Sequence, residues 1–410
     1  MKKNWLTVCM IFIFLATAFF AQNAFGLMKK MEVSELTAQA DLIVVGEVKK
    51  IESRLEPGGG IFTYVTITAG QFIKGAGTQE VTLRYPGGEV GRIGLLVSDT
   101  PEFELGERVK VFLKGKDIYD IVGLYQGKYT VVDGKVLKPA IPTFGYDGIH
   151  WPGSNPMGEP YLINPNCTDP EAGTTTDQIT AISNGANTWN NEGKAKFFFT
   201  YGGTHTNTLP NDGGDGGFPN GSNEIMFVND TNYWFFSQYP YVGAAVWSYY
   251  WPSTGELFEC DMAFNNANPD YIWNGVEQPT TQELDIWNAA THEFGHFLQL
   301  NDLYSYPADA EKTMYGNILF GETKKQTLDP DDIAGIQFIY GKRYKCGDAD
   351  NNETVNVGDV IYTINYLFKG GPAPVSMWAA DADGTGDVKI GDVIYLINYL
   401  FKGGSVPRCT

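Results

Sequence analysis

Histidine is rare in this chain, with four residues in 410. Any chemistry that needs imidazole is therefore confined to one or two places. Cysteine is nearly as scarce, at five, and the span from residue 27 to 166 has none. Positive charge is the minority sign: 29 lysines and arginines stand against 48 acids, for a formal net charge of −19. So acidic a chain argues against nucleic acid or an anionic lipid surface as partner, and suits a protein that binds cations. Past residue 26 no apolar run is long enough to cross a bilayer, so no transmembrane segment is expected once the N-terminus is removed. What is present is ample core material, 43% hydrophobic residues, and length for two or three domains.

The N-terminus reads as a cleaved signal peptide over residues 1–26. Lys2 and Lys3 precede an apolar stretch from Trp5 to Ala21, and Ala24-Phe25-Gly26 offers small residues for a cut after Gly26. The mature protein is then expected to be secreted or extracellular. Cys9 leaves with the signal, and the four cysteines that remain, Cys167, Cys260, Cys346 and Cys409, form an even set in an exported protein. That predicts two disulfides. Of the three possible pairings, Cys167–Cys260 and Cys346–Cys409 keep each bridge within one domain.

Three further regions follow, so the fold class is multidomain. Residues 27–146 form a small all-β domain, a barrel or sandwich of short runs such as Leu42–Val48, Tyr64–Ile67, Val81–Tyr85, Val109–Leu113 and Tyr129–Val132 between Gly-rich turns. Residues 147–341 are α+β. Ile179, Ile182, Ala186 and Trp189 recur at helical spacing after a cap at Thr174–Asp177, and Glu224–Val228 and Gly243–Trp247 read as strands. A second helix is expected from Thr280, where Glu283 completes a capping box. Residues 342–410 are a small α module built by duplication: VGDVIYTINYLFKGG from Val357 returns as IGDVIYLINYLFKGG from Ile390.

Two of the four histidines lie in His292-Glu293-Phe294-Gly295-His296. On a helix, residues four apart share a face, so the two imidazoles can grip one zinc ion. Glu293, one step round, is placed to take a proton from water activated by that metal. A catalytic zinc needs a third protein ligand and one open position. Asp302 lies six residues after His296, where HExxHxxGxxH has its last histidine. The competitors are Asp309, Glu311 and Glu322 downstream and His205 upstream.

With these residues the segment resembles the metzincins, and the matrixin-like branch most closely. Thr313-Met314-Tyr315-Gly316 is similar to their Met-turn, and Leu328–Gln337 through Tyr340-Gly341 to their closing helix. A weaker likeness covers Trp189-Asn190 and Glu259–Asn265. The resemblance implies a zinc endopeptidase of protein or peptide substrates, with Met314 shaping the floor beneath the metal. It also implies that the Ile225–Val228 or the Val246–Trp247 strand pairs with extended substrate, the alternative being that both are core strands. Asp212 and Asp215 would sit in a calcium loop like those of matrixins, or in a plain loop. Two departures stand out. The third ligand is Asp302 rather than histidine, and Gln299 occupies the position of the usual glycine, where the helix must end in left-handed backbone.

The C-terminal repeat offers Asp348, Asp350, Asn352, Thr354 and Asp359, then Asp381, Asp383, Thr385, Asp387 and Asp392, at loop positions 1, 3, 5, 7 and 12. Alternating oxygen ligands closed by an acid are the EF-hand scheme for Ca2+. With Asp at the last position and only an exiting helix, each copy resembles a type I dockerin. The resemblance implies a cohesin-like or cell-surface partner. Val357-Gly358 and Ile390-Gly391, however, stand where dockerins carry the polar residues that contact cohesins.

The functional expectation is a secreted zinc endopeptidase with Glu293 as general base and calcium as a structural ion. The rival is a non-catalytic extracellular adhesion or scaffold protein with a structural metal site. The β domain would be an accessory module or an inhibitory prosegment. With no cysteine in it, a cysteine–zinc switch is excluded, whereas an acidic residue could serve in that role.

Overall fold

The computed structural model describes residues 27–409, apart from 29, 58, 133–134, 138–144, 154–156, 213–216, 305–307 and 318. The expected signal segment and Asp215 lie outside the described residues. A short helix, α1 (Val33–Gln39), leads into the first sheet. That sheet contains β1 (Leu42–Leu55), β2 (Ile61–Lys74) and β3 (Glu80–Pro86). The chain then leaves it to form the hairpin of β4 (Gly88–Val90) and β5 (Ile93–Val97). It returns as β6 (Arg108–Lys116), β7 (Ile118–Ile121), β8 (Lys128–Val132) and β9 (Lys135–Leu137). The spatial order is β1-β2-β3-β7-β6-β8-β9, and a further β1–β6 pairing closes the sheet on itself. Closure buries the alternating apolar residues Val44, Val65, Leu83, Val109 and Val111 inside, as the period-two pattern requires.

A second sheet is built from β10 (Met157–Asn164), β11 (Phe197–Thr204), β12 (Glu224–Val228), β13 (Ala244–Trp251) and β14 (Glu256–Asn265). Its order is β11-β10-β12-β14-β13, extended past β13 by β5 and β4 from the N-terminal region. All links among β11, β10, β12 and β14 are parallel, whereas β13 runs antiparallel to β14. Each face of this sheet has its own core. One packs against α2 (Thr175–Glu192) and the helix carrying the histidine pair. The other merges with the interior of the first sheet, so that Met226, Val228 and Trp247 share a cluster with Val44, Val65 and Val111. The short helix α3 (Trp234–Gln238) adds Phe235 and Phe236 to it.

The remaining helices are α4 (Ile286–Phe297), α5 (Pro330–Tyr340), and, in the C-terminal repeat, α6 (Val357–Lys369), α7 (Met377–Ala380) and α8 (Ile390–Lys402). The repeat has a separate small core of Val360, Ala382, Val393 and Leu396, and a Cys346–Cys409 disulfide joins its two ends. Among the described residues, no helix is long and apolar enough to cross a membrane.

Two expectations are corrected here. The helix expected from Thr280 begins at Ile286. Glu283 does bond the Thr280 amide at 2.9 Å, but it also accepts from Asn274 Nδ2, and the pair closes a turn. The N-cap is Asp285, whose carboxylate accepts from Asn288 N. The Cys167–Cys260 disulfide is absent: both residues are free thiols. Cys167 Sγ lies 2.7 Å from Asn266 Oδ1, while Cys260, fully buried in β14, bonds Ser248 Oγ at 3.2 Å.

Candidate metal centre

Helix α4 is buried on nearly every side, from Ile286 through Phe297. Gly185 lets α2 press against it, since a Cβ there would meet Thr291 N at 2.7 Å. Two indoles pin it in place: Trp189 Nε1 donates to Thr291 O at 2.6 Å and Trp151 Nε1 to Phe297 O at 2.7 Å. On this fixed rod the one-turn spacing brings His292 Nε2 and His296 Nε2 to 3.1 Å. Asp302 completes the group, with Oδ1 at 3.0 Å from His292 Nε2 and Oδ2 at 3.4 Å from His296 Nε2. Donors at about 2.1 Å from a tetrahedral zinc stand roughly 3.4 Å apart, and the three separations, measured to the two Asp302 oxygens, lie near that value.

Each imidazole is oriented from behind. His292 Nδ1 lies 2.7 Å from Thr313 O and His296 Nδ1 2.8 Å from Leu300 O. With Nδ1–H donated to a carbonyl, Nε2 is left to bind a cation. Thr313 is itself held by the closing helix, because its N–H donates to Asp332 Oδ2 at 3.0 Å. Burial pushes the Asp332 carboxyl up to about 6. The next residue, Met314, is buried beneath Gly295, where a Cβ would lie 2.1 Å from its Sδ. Leu303 N to Met314 O, at 2.8 Å, and Gly316 N to Leu303 O, at 3.1 Å, tie the Met-turn to the segment that carries Asp302.

The electrostatics are those of a site arranged for a cation. Burial lowers the pKa of His292. Burial works against a charged His296 as well, yet Asp302 raises it to about 10. Asp302 is buried, but His296 and His292 hold its carboxyl well below the usual range. A metal held by these groups would take the place of the proton that this pairing favours. Burial pushes Glu293 up to about 8, against the opposing pull of His296 and with Asp302 adding to the rise. Asp302 Oδ1 and Glu293 Oε2 are buried with no hydrogen-bond donor. Orphaned carboxylate oxygens are costly, and a zinc ion and a water would relieve them, so the residues fit the implied metal.

The other candidate ligands are engaged elsewhere. Asp309 pairs with Lys312, Glu311 with Lys324, and Glu322 with the buried Lys325, while His205 Nε2 lies 3.0 Å from Ile225 O. Asp212 accepts from Tyr233 and Trp234. β12 is interior to its sheet, between β10 and β14, so Ile225–Val228 has no free edge. β13, with Val246 and Trp247, has its outer edge against β5.

Gln299 takes the left-handed backbone expected of glycine, at φ 65. Its N–H donates to His296 O at 2.9 Å and that of Leu300 to Gly295 O at 3.0 Å, the paired bonds of a Schellman cap. Side-chain bonds from Gln299 Nε2 to Ser248 Oγ and His296 O, at 3.0 and 2.8 Å, offset the strain.

Two neighbours of the cluster had no sequence signature. Asp99, from the turn after β5, accepts a hydrogen bond from Tyr304 Oη. Its carboxyl is pushed well above the usual range, first by burial and then by Asp302. The short apolar run Ile93–Val97, between Gly91 and Asp99, is the signal from which β5 could have been read.

The two C-terminal loops repeat one hydrogen-bond pattern. Asp348 accepts from Asn352 N and Glu353 N at 3.0 and 2.8 Å, and Asp381 from Thr385 N and Gly386 N at the same distances. Asp350 N and Asp383 N donate to Asp359 and Asp392 at 3.2 and 3.0 Å. One carboxylate oxygen from each of Asp348, Asp350 and Asp359 lies within 4.8 Å of the others, and Asp381, Asp383 and Asp392 are grouped likewise. Asn352 and Thr354 bond to each other, and Asp387 pairs with Lys389, all at the exposed rim.

Residues 186–341 match the family model for Matrixin. Neutrophil collagenase of Homo sapiens is 42% identical over 62 residues, which span 15% of this chain and 12% of that protein. The family-level likeness is therefore to Matrixin over residues 186–341, and the chain spans only a small part of the length of the collagenase it matches.

Proposed function

We propose that this chain is a secreted zinc endopeptidase, with His292, His296 and Asp302 as metal ligands and Glu293 as general base. The observation that carries the reading is the preorganised trio of donors beside two orphaned buried carboxylate oxygens, one on Asp302 and one on Glu293. Zinc held by these three groups would supply Lewis acidity at one open position. Glu293 Oε2 then has a proton to take from the attacking water and to return to the leaving amine. Burial raises that carboxyl, which makes Glu293 a stronger base than an exposed glutamate. Met314 and Gly295 pack as the floor, and the carbonyls of Thr313 and Leu300 keep the imidazoles aimed. We further propose that the C-terminal loops each bind one calcium ion, which would neutralise the acids grouped there.

Metal analysis of the purified chain, joined to a peptide-release assay on casein or gelatin with and without a zinc chelator, tests the reading. One zinc per chain and chelator-sensitive release are expected. Zinc without any hydrolysis, from the parent and from a chain freed of its N-terminal region, would leave a structural metal site.

A further inference from the structure

The two C-terminal loops are copies, so where they differ one shows what the other has changed. They differ at two positions of unusual backbone. Loop positions 4 and 6 in the second copy are Gly384 and Gly386, at φ 67 and 90, the left-handed region that glycine enters at least cost. In the first copy the same positions hold Asn351 and Glu353, still left-handed at φ 58 and 71. Asparagine tolerates that conformation, whereas a glutamate held there is strained. Strain of this kind persists only where surrounding contacts impose it.

One of those contacts comes from outside the module. Glu353 Oε2 pairs with Lys194 Nζ, in the turn between α2 and β11, and Lys194 is itself left-handed at φ 49. From within, Lys345 Nζ donates to Glu353 O at 3.2 Å. The chain entering the module is stitched to the same turn. Lys196 N donates to Gly341 O at 2.9 Å, Arg343 N to Lys194 O at 2.7 Å, and Arg343 Nη2 to Asn190 O at 3.0 Å. The second loop is built differently: its ion pair, Lys389 with Asp387, stays inside the loop, and Gly386 has no side chain to extend.

An exposed ion pair contributes little by itself. This one acts on a particular peptide unit, because Glu353 precedes Thr354, the position 7 residue whose carbonyl serves as a calcium ligand in the EF-hand scheme. We propose that the first loop is the joint by which the C-terminal module docks on the region that carries the metal centre. Calcium in that loop sets Glu353 against Lys194 and holds residues 341–345 along the α2–β11 turn, while the second loop binds calcium for the module alone. This division of tasks rests on the calcium reading above and goes beyond it. Coupling is reciprocal, so Lys194 raises the calcium affinity of the first loop by the factor with which calcium tightens the joint.

The test uses the zinc-loaded full chain, calorimetric titration with calcium, and amide hydrogen exchange. Asp381→Asn with Asp392→Asn silences the second loop, so that the remaining site reports the first. In that background Lys194→Ala should weaken calcium binding at least about threefold, the scale of an exposed ion pair. With Asp348→Asn and Asp359→Asn instead, Lys194→Ala should leave the second site unchanged. Glu353→Gly should abolish the effect of Lys194→Ala on the first. The amides of Lys196 and Arg343, which donate across the joint, should exchange at least about fivefold more slowly in calcium than in calcium-free buffer. In Glu353→Gly their rates should no longer depend on calcium. The exchange comparison in the parent needs no silenced loop, and it decides alone if those variants do not fold. First-loop affinity unchanged by Lys194→Ala, or exchange at residues 196 and 343 indifferent to calcium, overturns the inference and leaves the calcium reading standing. No calcium bound by the parent overturns both.

Discussion

At His292, His296 and Asp302 the donor atoms are buried and aimed by groups behind them, whereas at Asp348, Asp350 and Asp359 the acids are tied to their own loop. Thr313 O and Leu300 O orient the imidazoles, and one Asp302 oxygen is left without a donor. In the loops nearly the opposite holds: Asp348 accepts two backbone N–H groups and Asp359 two more, from Asp350 and Asn356. A cluster held from outside keeps its geometry whether or not a cation is bound, at the cost of unsatisfied oxygens. A loop held by its own carboxylates keeps its shape by hydrogen bonds, and its acids then repel one another. The first arrangement suits catalysis, where a ligand set must not rearrange. The second suits an ion that adds stability.

The sharpest way to break this comparison is Glu293→Gln. The amide keeps the shape and removes the base, so zinc content and melting should hold while kcat falls by roughly a thousandfold or more. Stopped assays with metal analysis check it, and near-parental turnover would remove Glu293 from the mechanism. Asp302→Ala should act on the metal itself. Zinc affinity and activity should fall together, by at least about a hundredfold, because the proposed third ligand is lost outright. Competition with a coloured chelator measures this, and an unchanged affinity would send the search to another ligand.

Gly295→Ala probes the floor. The new methyl would lie 2.1 Å from Met314 Sδ. Overpacking there should cost about 1–3 kcal/mol in thermal or denaturant unfolding, with a loss of activity that tracks the displaced Met-turn. A variant as stable as the parent would mean that Met314 yields freely.

The smallest effect concerns the loops and pH. Burial first, then Asp350 and Asp348, push the Asp359 carboxyl up to about 6, and Asp392 moves the same way. The folded loop therefore holds these protons more tightly than the unfolded chain. That contribution to stability is complete below about pH 4 and is lost as pH rises through about 6. In chelator, the fragment 342–410, which has its own core and disulfide, should melt higher near pH 5 than near pH 7. Calcium needs the carboxylates ionised, so saturating calcium should reverse that order. Melting that ignores both calcium and pH would dissolve the distinction between the two kinds of site.

Local spacing made most of the candidate centre legible. His292 and His296 meet because helices repeat every 3.6 residues, Asp302 lies close along the chain, and Thr174 and Asp177 cap α2 as a capping box should. What stayed hidden depends on distant pairing. β5 meets a strand some 150 residues away, and Tyr304 meets Asp99 across 205. No periodicity encodes such partners. Thr280 and Glu283 misled because their bonds serve a turn as well as a helix start. Even cysteine parity could not reveal that Cys260 would find Ser248, in the neighbouring strand, rather than Cys167.

The side chain of Gln299 gives the turn after α4 a mechanical role. A glycine would close that turn more cheaply but would end there. Glutamine instead reaches across to Ser248, the β13 residue that faces Leu96 of β5. Ser248 therefore serves two neighbours at once: its backbone pairs with Leu96, and its hydroxyl accepts from the residue that closes the last turn of the helix holding His296.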